Sequence, residues 1–80
     1  MLIKLNTIED VKSFVDICGR FSGAEIDVKQ GRQIIDGKSI LGIFSLNLLE
    51  TLDVNIDVAE ENLKSNFCSN IQKWEITDRI

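Results

Sequence analysis

Histidine, whose ordinary pKa best suits proton transfer near neutral pH, does not occur in this 80-residue chain. Two cysteines, Cys18 and Cys68, lie far apart and lack the CxxC spacing of a zinc or redox motif. We interpret both as small buried hydrophobic residues, with a structural or redox disulfide as the alternative. Because neither a glycine-rich phosphate loop nor a metal-ligand cluster accompanies them, the sequence favours a protein that is not an enzyme and carries no cofactor or metal.

The length and composition are those of one small globular domain spanning residues 1–80. A formal net charge of −4 leaves no basic stripe for counterion release, so nucleic-acid binding is disfavoured. The apolar start, Met1 to Leu5, is too short and too soon interrupted by Lys4 for a signal peptide or a membrane span. We therefore expect a cytoplasmic protein of bacterial type whose partners are other proteins.

The first part of the chain predicts a strand followed by a helix. Residues 2–5 alternate weakly and indicate the strand. Asn6 or Thr7 can cap a helix that begins near Thr7, and Glu9 stands three residues after Asn6, as in a capping box. The helix should end around residues 19–23. Its apolar face, which should pack on a sheet, comprises Ile8, Val11, Phe14, Val15, Ile17, Cys18 and Phe21.

The middle of the chain predicts a β-hairpin followed by a helix start. Residues 24–28 alternate strictly, and so does the stretch around Ile34, with Gln30–Gly31 as the turn between them. Gly37 breaks the second of these strands, and Ser39 can cap a new helix.

The remaining pattern predicts a short helix, a strand and a last helix. The apolar run over 40–49 forms the second helix, which must be short because strict alternation begins again at Thr51. That alternation, over 51–58, indicates a fourth strand with a polar outer face. From Ala59 to Trp74 the pattern is helical, and the tail after Trp74 is expected to fray.

The resulting order, βαββαβα, predicts an α+β domain of the open-faced β-sandwich type, with a four-stranded antiparallel sheet covered on one face by three helices. A ferredoxin-like domain has nearly the same order of elements. The order of strands within the sheet, together with any apolar pocket between helices and sheet, distinguishes these two architectures.

The segment Asp36–Leu46, with the sequence DGKSILGIFSL, resembles the regulatory segment of HPr, the small phosphocarrier of the bacterial sugar phosphotransferase system. Its Lys-Ser-Ile-x-Gly-x-x-Ser-Leu pattern is specific, and the similarity runs without a gap from about Phe14 to Val58. The resemblance implies the HPr-like form of the open-faced sandwich and a function related to the phosphotransferase system.

In the HPr family, phosphate is carried by a histidine at the start of the first helix, which Ala-Arg-Pro follows. In some Gram-positive members it is also carried by the serine that caps the second helix. Counted back from Ser39 without a gap, the histidine stretch falls on residues 8–11, where nothing matches. Glu9 and Asp10 stand there instead, and their carboxylates complement the helix dipole and repel a phosphoryl group. The resemblance therefore implies a relative without histidine phosphocarrier activity.

Ser39 has two compatible roles in this interpretation. Its position before an apolar run predicts a helix cap, and the resemblance implies a regulatory phosphorylation site. A phosphoserine at a helix N-terminus can keep its capping role. Modification further requires a kinase that accepts the changed surroundings, including the rewritten first helix.

The second helix offers a candidate docking surface. Ile40 and Ile43 follow one helical line, and Leu41, Phe44 and Leu48 follow another, so a short helix cannot bury both against one sheet. We expect Leu41 and Phe44 to face outward. The HPr family docks its enzymes and regulators in this neighbourhood, so the resemblance implies a protein partner that meets Lys38, Ile40, Leu41, Phe44 and Leu48.

Three alternatives stay open for this apolar surface and for the function. The loop before the fourth strand, or a second copy of the chain in a homo-oligomer, can cover the second helix. A ferredoxin-like domain that binds a small ligand is a second possibility. An inactive oligomerisation domain, whose partner is itself, is the third.

The absent histidine generates the first prediction. After incubation with the general phosphotransferase enzyme and labelled phosphoenolpyruvate, we expect no acid-labile label on this chain, whereas a histidine-bearing HPr in the same reaction is labelled. The variant Ile8→His alone should not restore transfer, because Glu9 and Asp10 still repel an arriving phosphoryl group. Label on the parent chain, or full transfer by the single variant, would contradict this interpretation.

Overall fold

A computed structural model describes residues 1–76 and has the α+β composition that the patterns predict. Every predicted element is present, although several are shorter than expected. In chain order they are β1 (Leu2–Ile3), α1 (Ile8–Gly19), β2 (Glu25–Gln30), β3 (Gln33–Asp36), α2 (Ile40–Phe44), β4 (Leu52–Asp57) and α3 (Glu61–Ile71), followed by a 3₁₀ turn over Gln72–Trp74.

The four strands form one open sheet in the order β1-β4-β2-β3, and each neighbouring pair is antiparallel. Strands β4 and β2 therefore lie at the centre, and β1 and β3 lie toward the edges. A ferredoxin-like domain places its first and third strands at the centre of the sheet. The order observed here differs from that arrangement.

The two central strands present alternate side chains to the helices, as their patterns predict. Ile26 lies opposite Ile56 and Val28 opposite Val54, and all four side chains are buried. Each fully buried aliphatic or aromatic side chain stabilises the fold by about 1.5–3 kcal/mol, so these four side chains contribute substantially to the hydrophobic stabilisation. The helices contribute Val11, Phe14, Ile17, Cys18, Ile43, Phe67 and Ile71 to the same core.

The hairpin between β2 and β3 turns through two residues, Gly31 and Arg32, one position later than predicted. Gln30 pairs with Gln33 on either side of the turn. Gly31 has a φ of +60°, in the left-handed region that tight hairpin turns require and that glycine adopts without strain. The turn thus sets the register that buries alternate residues of β2.

The fraying predicted after Trp74 is wrong for the next two residues. The backbone N–H of Lys4 donates to the carbonyl oxygen of Trp74 at 3.0 Å, and that of Ile76 donates to Leu2 at 2.8 Å. These bonds cover the outer edge of β1, because they occupy backbone groups that a lone edge strand leaves unpaired. Residues 77–80, on which the rest of that prediction falls, lie outside the described part of the chain.

The two cysteines are free thiols in different environments. Cys18 is fully buried in the core, as predicted, whereas Cys68 on α3 is only half-buried. Burial raises the pKa of the Cys18 thiol from 9.0 to about 12. Because this folded-state pKa exceeds the unfolded one, the thiol's contribution to stability is fully present below pH 9.0 and is lost as the pH rises toward 12.

The C-terminal segment generates the second prediction. Trp74 is 8% exposed and packs edge-to-face on Phe14, with ring centroids 6.2 Å apart. Trp74→Ala should therefore lower the free energy of unfolding by about 3–5 kcal/mol in urea titrations. The control, Lys73→Ala, removes an ammonium 4.7 Å from the Trp74 ring and should cost at most about 1 kcal/mol. A Trp74→Ala variant as stable as the control would show that the segment is not part of the fold.

Candidate docking surface

Side chains at the start of α1 accept hydrogen bonds from the backbone N–H groups there. Thr7 is the cap, and its hydroxyl oxygen accepts from the backbone N–H of Asp10 at 3.0 Å. The Asp10 carboxylate accepts in turn from the backbone N–H of Asn6 at 3.1 Å. Glu9 adds a second carboxylate to the same turn and lies 3.9 Å from Lys12 Nζ. This helix end is therefore already satisfied by negative charge and does not suit a phosphoryl group.

The start of α2 is fixed by a hydrogen-bonded turn in front of it. The Asp36 carboxylate accepts from the backbone N–H of Lys38 at 2.9 Å, and the Asp36 carbonyl accepts from Ser39 at 3.0 Å. The Ser39 hydroxyl oxygen then accepts from the backbone N–H of Gly42 at 3.1 Å. The predicted cap is confirmed, and the Ser39 side chain is exposed to solvent.

The charges around Ser39 differ from those at the start of α1. The first turn of α2 contains no acidic residue. Lys38 precedes Ser39, and its ammonium donates to the carbonyl oxygen of Ala24 at 2.9 Å. Lys38, predicted as a partner contact, is thus half-buried and tied to the loop between α1 and β2.

A close contact between α2 and β3 decides which face of the helix is exposed. A Cβ on Gly42 would lie 2.5 Å from Ile35 Cγ2 and 3.0 Å from the Ser39 hydroxyl oxygen, so only glycine allows this approach. The helix consequently buries Ile43 completely and leaves Leu41 80% and Phe44 41% exposed. The predicted outward orientation of Leu41 and Phe44 is confirmed.

The other predicted contacts are less accessible, and two accessible residues were not predicted. Ile40 and Leu48 are half-buried and pack against the core. Ile8, expected on the buried face of α1, is instead 62% exposed at the first position of the helix. Leu49, in the loop after α2, is 83% exposed.

Four of these residues line one groove, and Leu41 lies three residues before Phe44 on the same side of α2. We call the five the apolar patch: Ile8, Leu41, Phe44, Leu48 and Leu49. Of the eight large hydrophobic side chains that are exposed within residues 1–76, four lie in this patch. A shallow groove of about 210 Å³ joins the start of α1 to α2 and the loop after it. Its lining residues are Leu5, Asn6, Thr7, Ile8, Phe44, Leu48 and Leu49.

The loop that carries Leu48 and Leu49 is held by a side chain from the sheet. The Gln30 amide donates to the Asn47 carbonyl at 2.7 Å and accepts from the Asn47 N–H at 2.8 Å. The Asn47 side chain then accepts from the Leu49 N–H at 3.1 Å. Because of these bonds, the position of the loop that forms one side of the groove depends on β2. No local sequence pattern indicates this dependence.

A second concave feature lies between the end of α1 and α3. This cleft has a volume of about 400 Å³ and an apolar floor that includes Phe21 and Leu63. Its charged side chain, Arg20, pairs with Asp16 at 2.7 Å, and the amide of Asn70 donates to the Asn66 carbonyl at 2.8 Å.

Within residues 1–76, no three side chains of the metal-binding types converge on a common point. None of the helices in that range combines the length and apolar character needed to cross a bilayer.

The chain was compared with protein-family models, curated proteins and solved structures. None of the three comparisons found a match. Any function must therefore be inferred from the residues and the geometry of the surface itself.

The cap generates the third prediction. Ser39→Ala removes the acceptor for the Gly42 N–H and should lower the free energy of unfolding by about 0.5–2 kcal/mol, whereas Ser39→Asp retains a capping oxygen and should cost little. Chemical denaturation of both variants measures the difference. Equal stability of parent, Ala and Asp variants would show that Ser39 does not act as the cap.

The orientation of α2 generates the fourth prediction, a graded series of alanine variants. Ile43→Ala should cost about 2–5 kcal/mol because it leaves a core cavity. Phe44→Ala should cost about 1–2 kcal/mol, since part of its surface is already removed from water, and Leu41→Ala should stay within about 0.5 kcal/mol of the parent. If Ile43→Ala melts at a higher temperature than Leu41→Ala, the buried and exposed faces of α2 have been assigned the wrong way round.

Proposed function

We propose that this chain is an HPr-like regulatory or protein-binding module, related to the phosphotransferase system, that does not carry phosphate on histidine. The observation that carries the proposal is the exposed Ser39 hydroxyl at the start of the same short helix that turns Leu41 and Phe44 outward. A cluster of exposed apolar side chains on a small domain is typical of a protein-binding surface.

The charges near the two helix starts favour Ser39 as the regulated position. A phosphoserine adds a charge of about −1.5 to −2, which carboxylates at the start of α1 would oppose. The first turn of α2 contributes no carboxylate, and the Asp36 carboxylate three residues before Ser39 accepts a hydrogen bond from the Lys38 N–H. The added charge would stand two residues from Leu41 and would change which partners the apolar patch accepts.

Binding of a small ligand is the second candidate, and the cleft between α1 and α3 is its best location. A volume of about 400 Å³ falls within the range of ligand sites. Its Arg20 and Asn70 groups already bond within the chain, so fewer polar groups are free to orient a ligand. We therefore place this function after protein binding.

Phosphorylation of Ser39 is tested with an ATP-dependent kinase of the HPr type. Intact mass should rise by one phosphate in the parent and in the control Ser45→Ala, which alters the exposed serine at the other end of α2. Ser39→Ala should show no gain. A gain that survives Ser39→Ala, or none in the parent, contradicts phosphorylation at this position.

Binding of a protein partner to the apolar patch is tested by pull-down from the native cytoplasm with matched surface variants. Leu41→Asp places a charge on the apolar patch, and Ile34→Asp places one on the 62% exposed residue of β3. Both positions are exposed, so both variants should fold. Proteins retained by the parent and by Ile34→Asp should be lost with Leu41→Asp. Retention of the same proteins by Leu41→Asp would contradict docking through the patch.

A further inference from the structure

The cleft between α1 and α3 has a well-packed apolar floor. Ile17 and Ala24 are buried, whereas Phe21 and Leu63 keep part of their surface accessible to the cleft. The Phe21 ring packs edge-to-face against Phe67, with ring centroids 5.3 Å apart, and this contact fixes its orientation. A volume of about 400 Å³ above such a floor suits the apolar body of a small molecule.

Several polar groups around this floor are donors that bond to nothing else in the described part of the chain. Within residues 1–76, the backbone N–H groups of Ser22 and Gly23 have no hydrogen-bond partner. The amide of Asn70 donates to Asn66 Oδ1 at 3.2 Å, which occupies an acceptor of Asn66 and leaves its own NH₂ group unpaired in the same range. Such donors favour a ligand whose polar group accepts several hydrogen bonds.

Arg20 adds a positive charge to the rim of the cleft. Its Nη2 donates to the Asp16 carboxylate at 2.7 Å, and the other N–H groups of the guanidinium remain available. The Arg20 and Asp16 side chains are 68% and 66% exposed, so water screens this pair and the contact is weak. Arg20 can therefore bind an anion in the cleft while it keeps or exchanges its contact with Asp16.

No acidic side chain lines this cleft. Asp16, Glu25 and Glu61 are close to it in sequence, but none of them is among its lining residues. Two other recesses on the surface contain a lysine, and each of these also contains at least two carboxylates. Those carboxylates are Glu25, Asp27 and Asp36 in one recess and Glu50 and Asp53 in the other. The cleft thus differs from both recesses, because it presents a cation without a carboxylate and so favours an anionic ligand.

The end of α1 does not prevent an anion from binding here, although the last carbonyl groups of a helix carry partial negative charge. The carbonyl oxygens of Ile17 and Cys18 already accept from the N–H groups of Arg20 and Phe21, each at 3.1 Å. Arg20 directly follows the last residue of the helix, so its positive charge offsets the negative end of the dipole.

We propose that the cleft between α1 and α3 binds a small carboxylate with a ring-sized apolar body. The body lies on Phe21 and Leu63, and the carboxylate accepts from the Arg20 guanidinium and from the N–H groups of Ser22 and Gly23. A single arginine matches the single charge and the planar shape of a carboxylate. The inference deepens the second candidate function and rests on it, because it names the ligand class of the same cleft.

Titrations of the full chain, followed by NMR of its backbone amides, test the proposal with four probes: phenylacetate, phenylacetamide, phenethylamine and acetate. Phenylacetate should shift the signals of Ser22, Gly23 and Asn66 with a dissociation constant below about 5 mM. The uncharged amide, the cationic amine and acetate should each bind at least about fivefold more weakly. The first two lack the carboxylate, and acetate lacks the apolar body.

Matched variants separate the charge of Arg20 from the apolar floor. Arg20→Gln should abolish the preference for phenylacetate over phenylacetamide, whereas Arg32→Gln, which removes the same charge from the hairpin turn, should preserve it. Asp16→Asn removes the carboxylate that competes for Arg20 and should tighten phenylacetate binding about twofold. Leu63→Gln should weaken all three aryl probes. The four positions are exposed, so the variants retain the fold.

The outcomes distinguish the ligand class from the function on which it rests. If the amide or the amine shifts the cleft signals at the same or a lower concentration than phenylacetate, the carboxylate is wrong and ligand binding in the cleft stands. The proposal is overturned if no probe shifts those signals, or if the preference for phenylacetate survives Arg20→Gln. Docking through the apolar patch is decided separately, by the pull-down with Leu41→Asp.

Discussion

The contact between Gly42 of α2 and Ile35 of β3 determines what the rest of the surface presents. A helix of five residues can bury one face against the sheet, and the missing Cβ of Gly42 lets that face come close enough to bury Ile43 completely. Because the helical spacing is fixed, Leu41 and Phe44 must then point to solvent. The apolar surface is therefore exposed because the helix face that carries Ile43 is the one that packs into the core.

The starts of α1 and α2 have similar caps but different charges in their first turns. Thr7 and Ser39 both accept a backbone N–H three residues ahead. At α1, Glu9 and Asp10 also fill the first turn with negative charge, whereas α2 has no carboxylate there. The two caps are alike, so the carboxylates of the first turn are what distinguish the electrostatics of the two helix starts.

Local sequence patterns predicted the features of this fold that depend on neighbours in the chain. The Ser39 cap needs only the residues that follow it, and the alternation of β4 places Leu52, Val54 and Ile56 in the core. The outward faces of α2 also follow from which apolar lines one sheet can bury. These features follow from hydrophobic periodicity, and tertiary contacts do not change them.

The features that were missed depend on residues far apart in sequence. The Gln30 amide fixes the loop at Asn47, and the residues after Trp74 pair with β1 from the other end of the chain. Ile8 was misassigned because helical spacing gives the face of a residue but does not show which turn of the helix is covered. The groove depends on the exposed Ile8 and on the loop that Gln30 holds, so no single pattern predicts it.

The acidic sheet face and the apolar patch act on association in opposite directions. Directly opposite residues on neighbouring strands carry like charges at Glu25 and Asp57 and again at Asp27 and Asp36, an arrangement that costs stability. The same charges prevent two open sheets from stacking, which an uncharged open face of this kind would invite. Charge on the open face of the sheet therefore disfavours association through that face, whereas the apolar patch favours contact with another apolar surface.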